Sequence, residues 1–257
     1  MDLEEMGPAR ARLSQAESKV SDQAGVAQSA VADAGASPDD DLISSLNEDG
    51  VLALLKRHDL TPESLEQVSQ NSAAMKSRKV GVALAAHPRT PRHLVLRLLR
   101  QFYTFDLMQF AMRPAVAADL KHAADQQLAA RLESITLGER LTLARRASGT
   151  VAAELLLDKE SRISHTALEN ARLTEAGVIR ALMRPAARVT FVEAVCRHPK
   201  WSVRREIRLA LLRSPHTPLA RALEFARKLP PPLLRDTLHT SQLPEKVKVY
   251  LRTEFDI

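Results

Sequence analysis

Ala210-Leu211-Leu212-Arg213-Ser214-Pro215-His216-Thr217-Pro218 decides the fold class of this chain, because versions of it recur. The phrase returns as Leu54-Leu55-x-x-His58-Asp59-Leu60-Thr61-Pro62 and as Ala83-Leu84-x-x-His87-Pro88-Arg89-Thr90-Pro91. It returns again as Ala167-Leu168-x-x-Ala171-Arg172-Leu173-Thr174-Glu175, and a worn copy runs from Ala129 to Thr136. Each copy reads as the end of an apolar helix, a tight turn and the start of the next helix. Thr61, Thr90, Thr136, Thr174 and Thr217 are then N-caps, their hydroxyls accepting from free backbone N–H groups of the first turn. Pro or Glu follows, suited to the first helical position by its missing N–H or by its charge. Recurrence at about 40 residues is the mark of stacked helical units, so the phrase predicts an all-α fold, an α-solenoid.

Composition agrees with helices. Aromatic residues make up 4% of the chain, with one Trp and two Tyr, which leaves little material for a sheet. Helices are expected over Met75 to Ala86, Thr90 to Gln101, Leu137 to Ala147, Thr174 to Met183, Val189 to Arg197 and Ser202 to Arg213. A shift of 127 residues lays Val80-x-Val82-Ala83-Leu84 on Ile207-x-Leu209-Ala210-Leu211 and Pro88-x-Thr90-Pro91 on Pro215-x-Thr217-Pro218, then carries Leu107 onto Leu234 without a gap. A register held that far argues for related units.

Charge divides the chain. Residues 1–50 hold 3 basic and 11 acidic side chains, net −8, whereas residues 51–257 hold 34 basic and 20 acidic, net +14. Residues 1–40 carry too few large apolar side chains to offset ordering entropy and are expected to form a disordered acidic arm. One helical-repeat domain is expected over residues 41–257. If the arm folds back over basic residues, it would screen them from anionic partners.

His198-Pro199-Lys200-Trp201-Ser202-Val203-Arg204, followed by an Ala-Leu helix, resembles HEAT-like repeats and the leucine-rich-variant repeats of bacteria. Asp158-Lys159-Glu160-Ser161-Arg162-Ile163 is a looser copy. The resemblance covers about three quarters of the chain. It implies a binding surface, since such folds host scaffolds, adaptors and a few enzymes.

Catalytic signatures are missing from the sequence. There is no Gly-rich phosphate loop, no H-E-x-x-H, no Cys pair and no nucleophile elbow. No catalytic, cofactor-binding or metal-ligating residue is expected. His87, His198 and His216 are read as turn residues at the position that Ser214 and Ala171 occupy in sister copies. Asp158 and Glu160 are read as helix-start acids, and Glu139, three residues after Thr136, completes a capping box. Cys196 is read as a small buried hydrophobe, and Phe102, Tyr103, Phe105 and Phe110 as core packing, with a partner-binding or base-stacking patch on a connecting loop as the alternative.

Basic residues carry the one signal beyond packing. Arg97 with Arg100, Arg180 with Arg184, and Arg204 with Arg208 each share a helix face. Arg145, Arg146, Arg188, Arg227 and Lys228 continue the excess, and Trp201 either staples its turn or stands exposed among them. Aligned across successive units, these residues would form a stripe that attracts phosphates in a salt-dependent way. The sequence therefore supports three functions: a protein-interaction scaffold, a nucleic-acid or polyanion binder, and more remotely a glycosylase of HEAT-like type. The acidic start Met1-Asp2-Leu3-Glu4-Glu5-Met6-Gly7 lacks the basic and apolar parts of a signal peptide, and no apolar run reaches ~20 residues. A cytoplasmic protein with no membrane insertion is the expectation.

Overall fold

The computed structural model describes residue 43 and residues 45–257. The expected acidic arm, and the helix start expected at Asp41, lie outside these residues. Among the described residues there are sixteen helices and no strand. None of these helices is long and apolar enough to cross a membrane.

The chain forms two compact units that part between Val80 and Gly81. The first contains α1 (Glu48–Leu54), α2 (Pro62–Gln70) and α3 (Ser72–Met75); α4 (Arg78–Ala86) contains the division itself. Asn47 and Thr61 cap α1 and α2. Between α2 and α3 the buried Asn71 donates from Nδ2 to the carbonyls of Ile43 and Leu46, both at 3.0 Å. Its Oδ1 accepts from Ala74 N–H at the start of α3. One side chain thus bonds three backbone groups, two carbonyls before α1 and the first-turn N–H of α3. Val51, Leu65, Val68 and Ala74 supply the buried apolar surface.

The second unit holds α5 (Arg92–Leu99), α6 (Thr104–Met112), α7 (Ala118–Arg131), α8 (Leu137–Arg146), α9 (Gly149–Leu155) and α10 (Ser161–Leu168). It continues with α11 (Glu175–Leu182), α12 (Val189–Arg197), α13 (Arg205–Arg213), α14 (Leu219–Ala226), α15 (Pro231–His239) and α16 (Glu245–Phe255). Most helices pack against their neighbour but one, whereas α6 packs on its immediate neighbour α7. α5, α7, α9, α11, α13 and α15 touch in series, as do α8, α10 and α12, and α14 with α16. Same-set helices begin at residues 118, 149, 175, 205 and 231, and at 137, 161, 189, 219 and 245. The packing step is therefore two helices, shorter than the period of about 40 residues read from the threonine phrase. That phrase opens α2, α5, α8, α11 and α14, every third helix, so it alternates between the two sets.

The 127-residue register is visible in the helix bounds. Shifted by that amount, α4 to α6 start and stop where α13 to α15 do, and α7 starts where α16 does. The turns agree in detail: Thr90 Oγ1 donates to Leu84 O and Thr217 Oγ1 to Leu211 O, both at 2.6 Å.

Those bonds correct the capping expectation at two positions. Thr61, Thr136 and Thr174 accept from the first turn of their helices, and Thr136 with Glu139 closes a full capping box. Thr90 and Thr217 instead donate backwards, and the N-cap positions belong to Pro91 and Pro218, which make no side-chain cap bond. Both threonines are buried, and each hydroxyl adds a second bond to a last-turn carbonyl that already accepts from His87 N–H or Ser214 N–H, which keeps the buried hydroxyl itself paired.

Close approach fixes one glycine. A Cβ at Gly149, the first residue of α9, would sit 2.3 Å from the carbonyl oxygen of Arg172 in the α10–α11 turn. Only a bare Cα lets that turn lie against α9.

Candidate binding surface

The turns of the second unit are tied together by side chains that reach back about two helices. Asn170 donates to Ala144 O at 2.8 Å and Ala147 O at 3.2 Å, and accepts from Arg172 N–H. Ser241 donates to Leu212 O at 2.6 Å and accepts from Leu243 N–H. His198 Nδ1 accepts from Lys200 N–H, while Nε2 lies 3.0 Å from Glu169 Oε1. His87 accepts from Arg89 N–H in the same way. Turn roles hold for His87 and His198. The residue matching them between α10 and α11 is Asn170, not Ala171, and between α13 and α14 it is Ser214; His216 is exposed two residues further on. A clearer sign was available: a small polar residue or His at the last helical carbonyl, two residues before a backbone N–H that it can accept.

Trp201 belongs to this scaffolding. It is 1% exposed, and its Nε1–H donates to Leu168 O at 2.9 Å. Lys200 Nζ lies 4.2 Å from the ring centroid and the Arg204 guanidinium 5.4 Å, so two cations roof the indole. The alternative of an exposed contact residue is corrected: buried under these groups, Trp201 offers a partner no surface. Phe102 and Phe110 are likewise core, packed edge to face at 6.2 Å, whereas Tyr103 is 67% exposed.

The candidate cations separate by what holds them. Arg184 forms a two-point bond with Glu154, which pushes its own pKa above the usual range; its NH2 lies 3.0 Å from Oε1. Arg204 pairs with Glu175 at 2.7 Å, Arg188 donates to Lys159 O, and Arg208 Nε donates to Ser202 O. Lys228 pairs with Glu224 at 3.1 Å and Arg227 lies 3.7 Å from Glu254. Arg97 is exposed on α5. Arg100, Arg145, Arg146 and Arg180 are exposed and pair with no carboxylate among the described residues. Arg145 and Arg146 stand on α8 and Arg180 on α11, members of different helix sets. The named arginines are therefore divided between the two sets, and Arg184, Arg188 and Arg204 tie their turns to residues about 30 positions earlier.

One clamp escaped the sequence reading. Arg140 NH1 meets both carboxylate oxygens of Asp158, at 2.9 and 2.7 Å, with both side chains largely buried. Asp158 also accepts from Glu160 N–H, so its helix-start role and the ion pair coexist. Elsewhere Asp125 on α7 is buried and its Oδ1 lacks a partner among the described residues. Burial pushes its carboxyl above the usual range despite hydrogen bonds from Ser148 and Thr150. Burial also pushes the Cys196 thiol up to about 12, the value of an inert core residue.

Several cavities open on this unit, among them one of about 300 Å³ on α8 beside Leu141, Thr142, Arg145 and Arg146. Another of about 350 Å³ lies between α10 and α12, lined by Ser161, His165, Thr190, Glu193, Arg197 and His198. Two others lie at the turns leading from one helix set to the other: about 310 Å³ beside Glu133, Asp158 and Lys159, and about 280 Å³ beside Met183, Arg213 and His216. Arg184 lines both. Among the described residues, no group of three or more His, Cys, Asp or Glu is placed to hold a metal. Compared with protein-family models, curated proteins and solved structures, the chain matches none of them.

Proposed function

We propose that this chain is a non-catalytic scaffold or adaptor, and that its second unit is an α-solenoid of HEAT-like units presenting a binding surface to another protein. The observation that carries the reading is the series α5, α7, α9, α11, α13 and α15, each packed on the next, flanked by α8, α10 and α12, with turns clamped by Asn170, His198, Trp201 and Ser241. Such a ladder buries its core between successive units and leaves a long face free for a partner. The polar cavities add docking points along it. The test is crosslinking of the tagged full-length chain in its native cells, followed by nuclease treatment and purification. A protein partner recovered in fixed proportion, unaffected by nuclease, is the expected result; recovery that collapses with nuclease overturns the reading.

A second reading, binding of nucleic acid or another polyanion, is favoured by charge: residues 81–257 hold 29 basic and 17 acidic side chains, net +12. Phosphate contacts would give an affinity that falls steeply with salt. Fluorescence anisotropy with labelled duplex DNA, single-stranded DNA and RNA at two salt concentrations tests it. For the glycosylase alternative, Trp201, the local candidate with Glu206 and Arg208, is buried.

A further inference from the structure

We propose that the cavity between the α11–α12 and α13–α14 turns binds a short acidic segment of a partner protein, a carboxylate lying beside an apolar side chain; this rests on the scaffold reading above. The cavity, about 280 Å³, is lined by Met183, Arg184, Pro185, Arg213, His216 and Gln242 among others. Arg184, Arg213 and His216 line it with no carboxylate; Arg184 is already paired with Glu154 outside the cavity, so Arg213 is the cation left to a ligand. A site of one sign with low-dielectric walls concentrates the opposite charge.

Arg213 supplies the second observation. Its Nε is buried and has no hydrogen-bond partner among the described residues. That atom is closed to a ligand, but Arg213 as a whole is half-buried and lines the cavity, so the outer part of its guanidinium is the cation an incoming carboxylate meets. The site is held in place before any ligand arrives. Glu154 fixes Arg184 from the far side, and Gln242 N–H bonds Arg213 O at 3.0 Å, joining the next turn to the wall.

The apolar half of the recognition comes from Met183, which is 46% exposed, with Pro185 and Pro215 beside it. Methionine adapts to varied apolar side chains, and prolines offer rigid surface at little entropic cost. The size also fits a peptide side chain or two, lying below the usual range for small-molecule pockets of about 300–1,000 Å³.

The neighbouring cavity decides against a phosphate backbone. On the other side of Arg184 the lining includes Glu133, Glu154 and Asp158. Arg140, Lys159 and Arg184 balance them there, so the positive lining does not continue along these turns as a phosphate backbone would need, whereas a short acidic segment needs only the one cavity.

The test is selection from a random-peptide display library on the immobilised full-length chain, followed by anisotropy with the enriched peptide. Enriched peptides with Asp or Glu adjacent to a large apolar residue are expected. His216→Glu and Met183→Asp, both at exposed positions, should weaken binding about tenfold or more, each with an unchanged circular-dichroism melt. Arg145→Glu, on α8 away from the cavity, should leave binding unchanged. Enrichment of neutral or basic peptides overturns the proposal, as does binding that His216→Glu and Met183→Asp leave intact. Duplex DNA that binds the same residues also overturns it, in favour of phosphate. Failure here is separable from failure of the scaffold reading: a partner protein recovered equally by the two variants removes the site and keeps the scaffold.

Discussion

The indole N–H of Trp201 donates to the carbonyl of Leu168 at 2.9 Å, joining the α12–α13 turn to the end of α10 across 33 residues of sequence. The chain has a single tryptophan, and it bolts two turns together. Trp201→Phe retains most of the packed ring and removes the donor, leaving a buried carbonyl unpaired. The expected loss is about 1–3 kcal/mol in denaturant unfolding followed by circular dichroism. Trp201→Ala, which also opens a cavity, should cost about 3–5 kcal/mol.

Asn170 satisfies two carbonyls and one N–H, so no residue of similar size replaces it. Asn170→Asp keeps the acceptor and loses the donor, placing a carboxylate against two carbonyl oxygens. Both Asn170→Asp and Asn170→Ala should lower stability by about 3 kcal/mol. The aspartate variant should recover part of that loss at low pH, where the carboxyl can donate.

Arg140 and Asp158 form a largely buried pair. Removing one partner strands the other, and Asp158→Ala or Arg140→Met should each cost about 3–5 kcal/mol. The double variant Arg140→Met with Asp158→Leu should lose less than the sum of the single changes. A double-mutant cycle measures the difference.

Asp125 gives a pH signature. Its carboxyl is raised by burial, so the folded state holds this proton more tightly than the unfolded chain does. The contribution is fully present below the unfolded value, and is lost as pH rises through the folded one. Asp125→Asn should remove that decline, making the variant more stable than the parent at neutral pH and similar to it in acid. Glu139 and Glu224 are shifted the other way, by hydrogen bonds from Thr136 and from Lys228 and Arg221 respectively. Their contributions are lost as pH falls, and persist in the Asp125 variant.

Cys196 reports on opening. With the thiol buried and pushed up to about 12, a maleimide or disulfide reagent should fail to label the native protein at neutral pH. Labelling should appear in step with denaturant unfolding. Rapid labelling without denaturant would show that α12 opens locally.

Helix content and most turn positions were legible because apolar runs, prolines and threonines punctuate them in sequence. The packing step was not. The threonine phrase marks every third helix, whereas contact runs to every second, and spacing alone cannot separate these periods. The roles of Thr90 and Thr217 were misread for a related reason: a hydroxyl before proline can accept forwards or donate backwards, and burial of the hydroxyl beside the Leu84 or Leu211 carbonyl decides. Arginine positions were visible, but their partners, such as Glu154 for Arg184, lie some 30 residues away and are brought close only by stacking. Arg213 drew no attention in sequence, because nothing local distinguishes it from other last-turn cations.

Crosslinking mass spectrometry of the purified chain with its recovered partner is the most direct test of the scaffold reading. Crosslinks concentrated on the helices and turns of residues 81–257, and unchanged by nuclease, are the predicted result. Links confined to residues 1–80, or adducts to nucleic acid in place of protein, would contradict it.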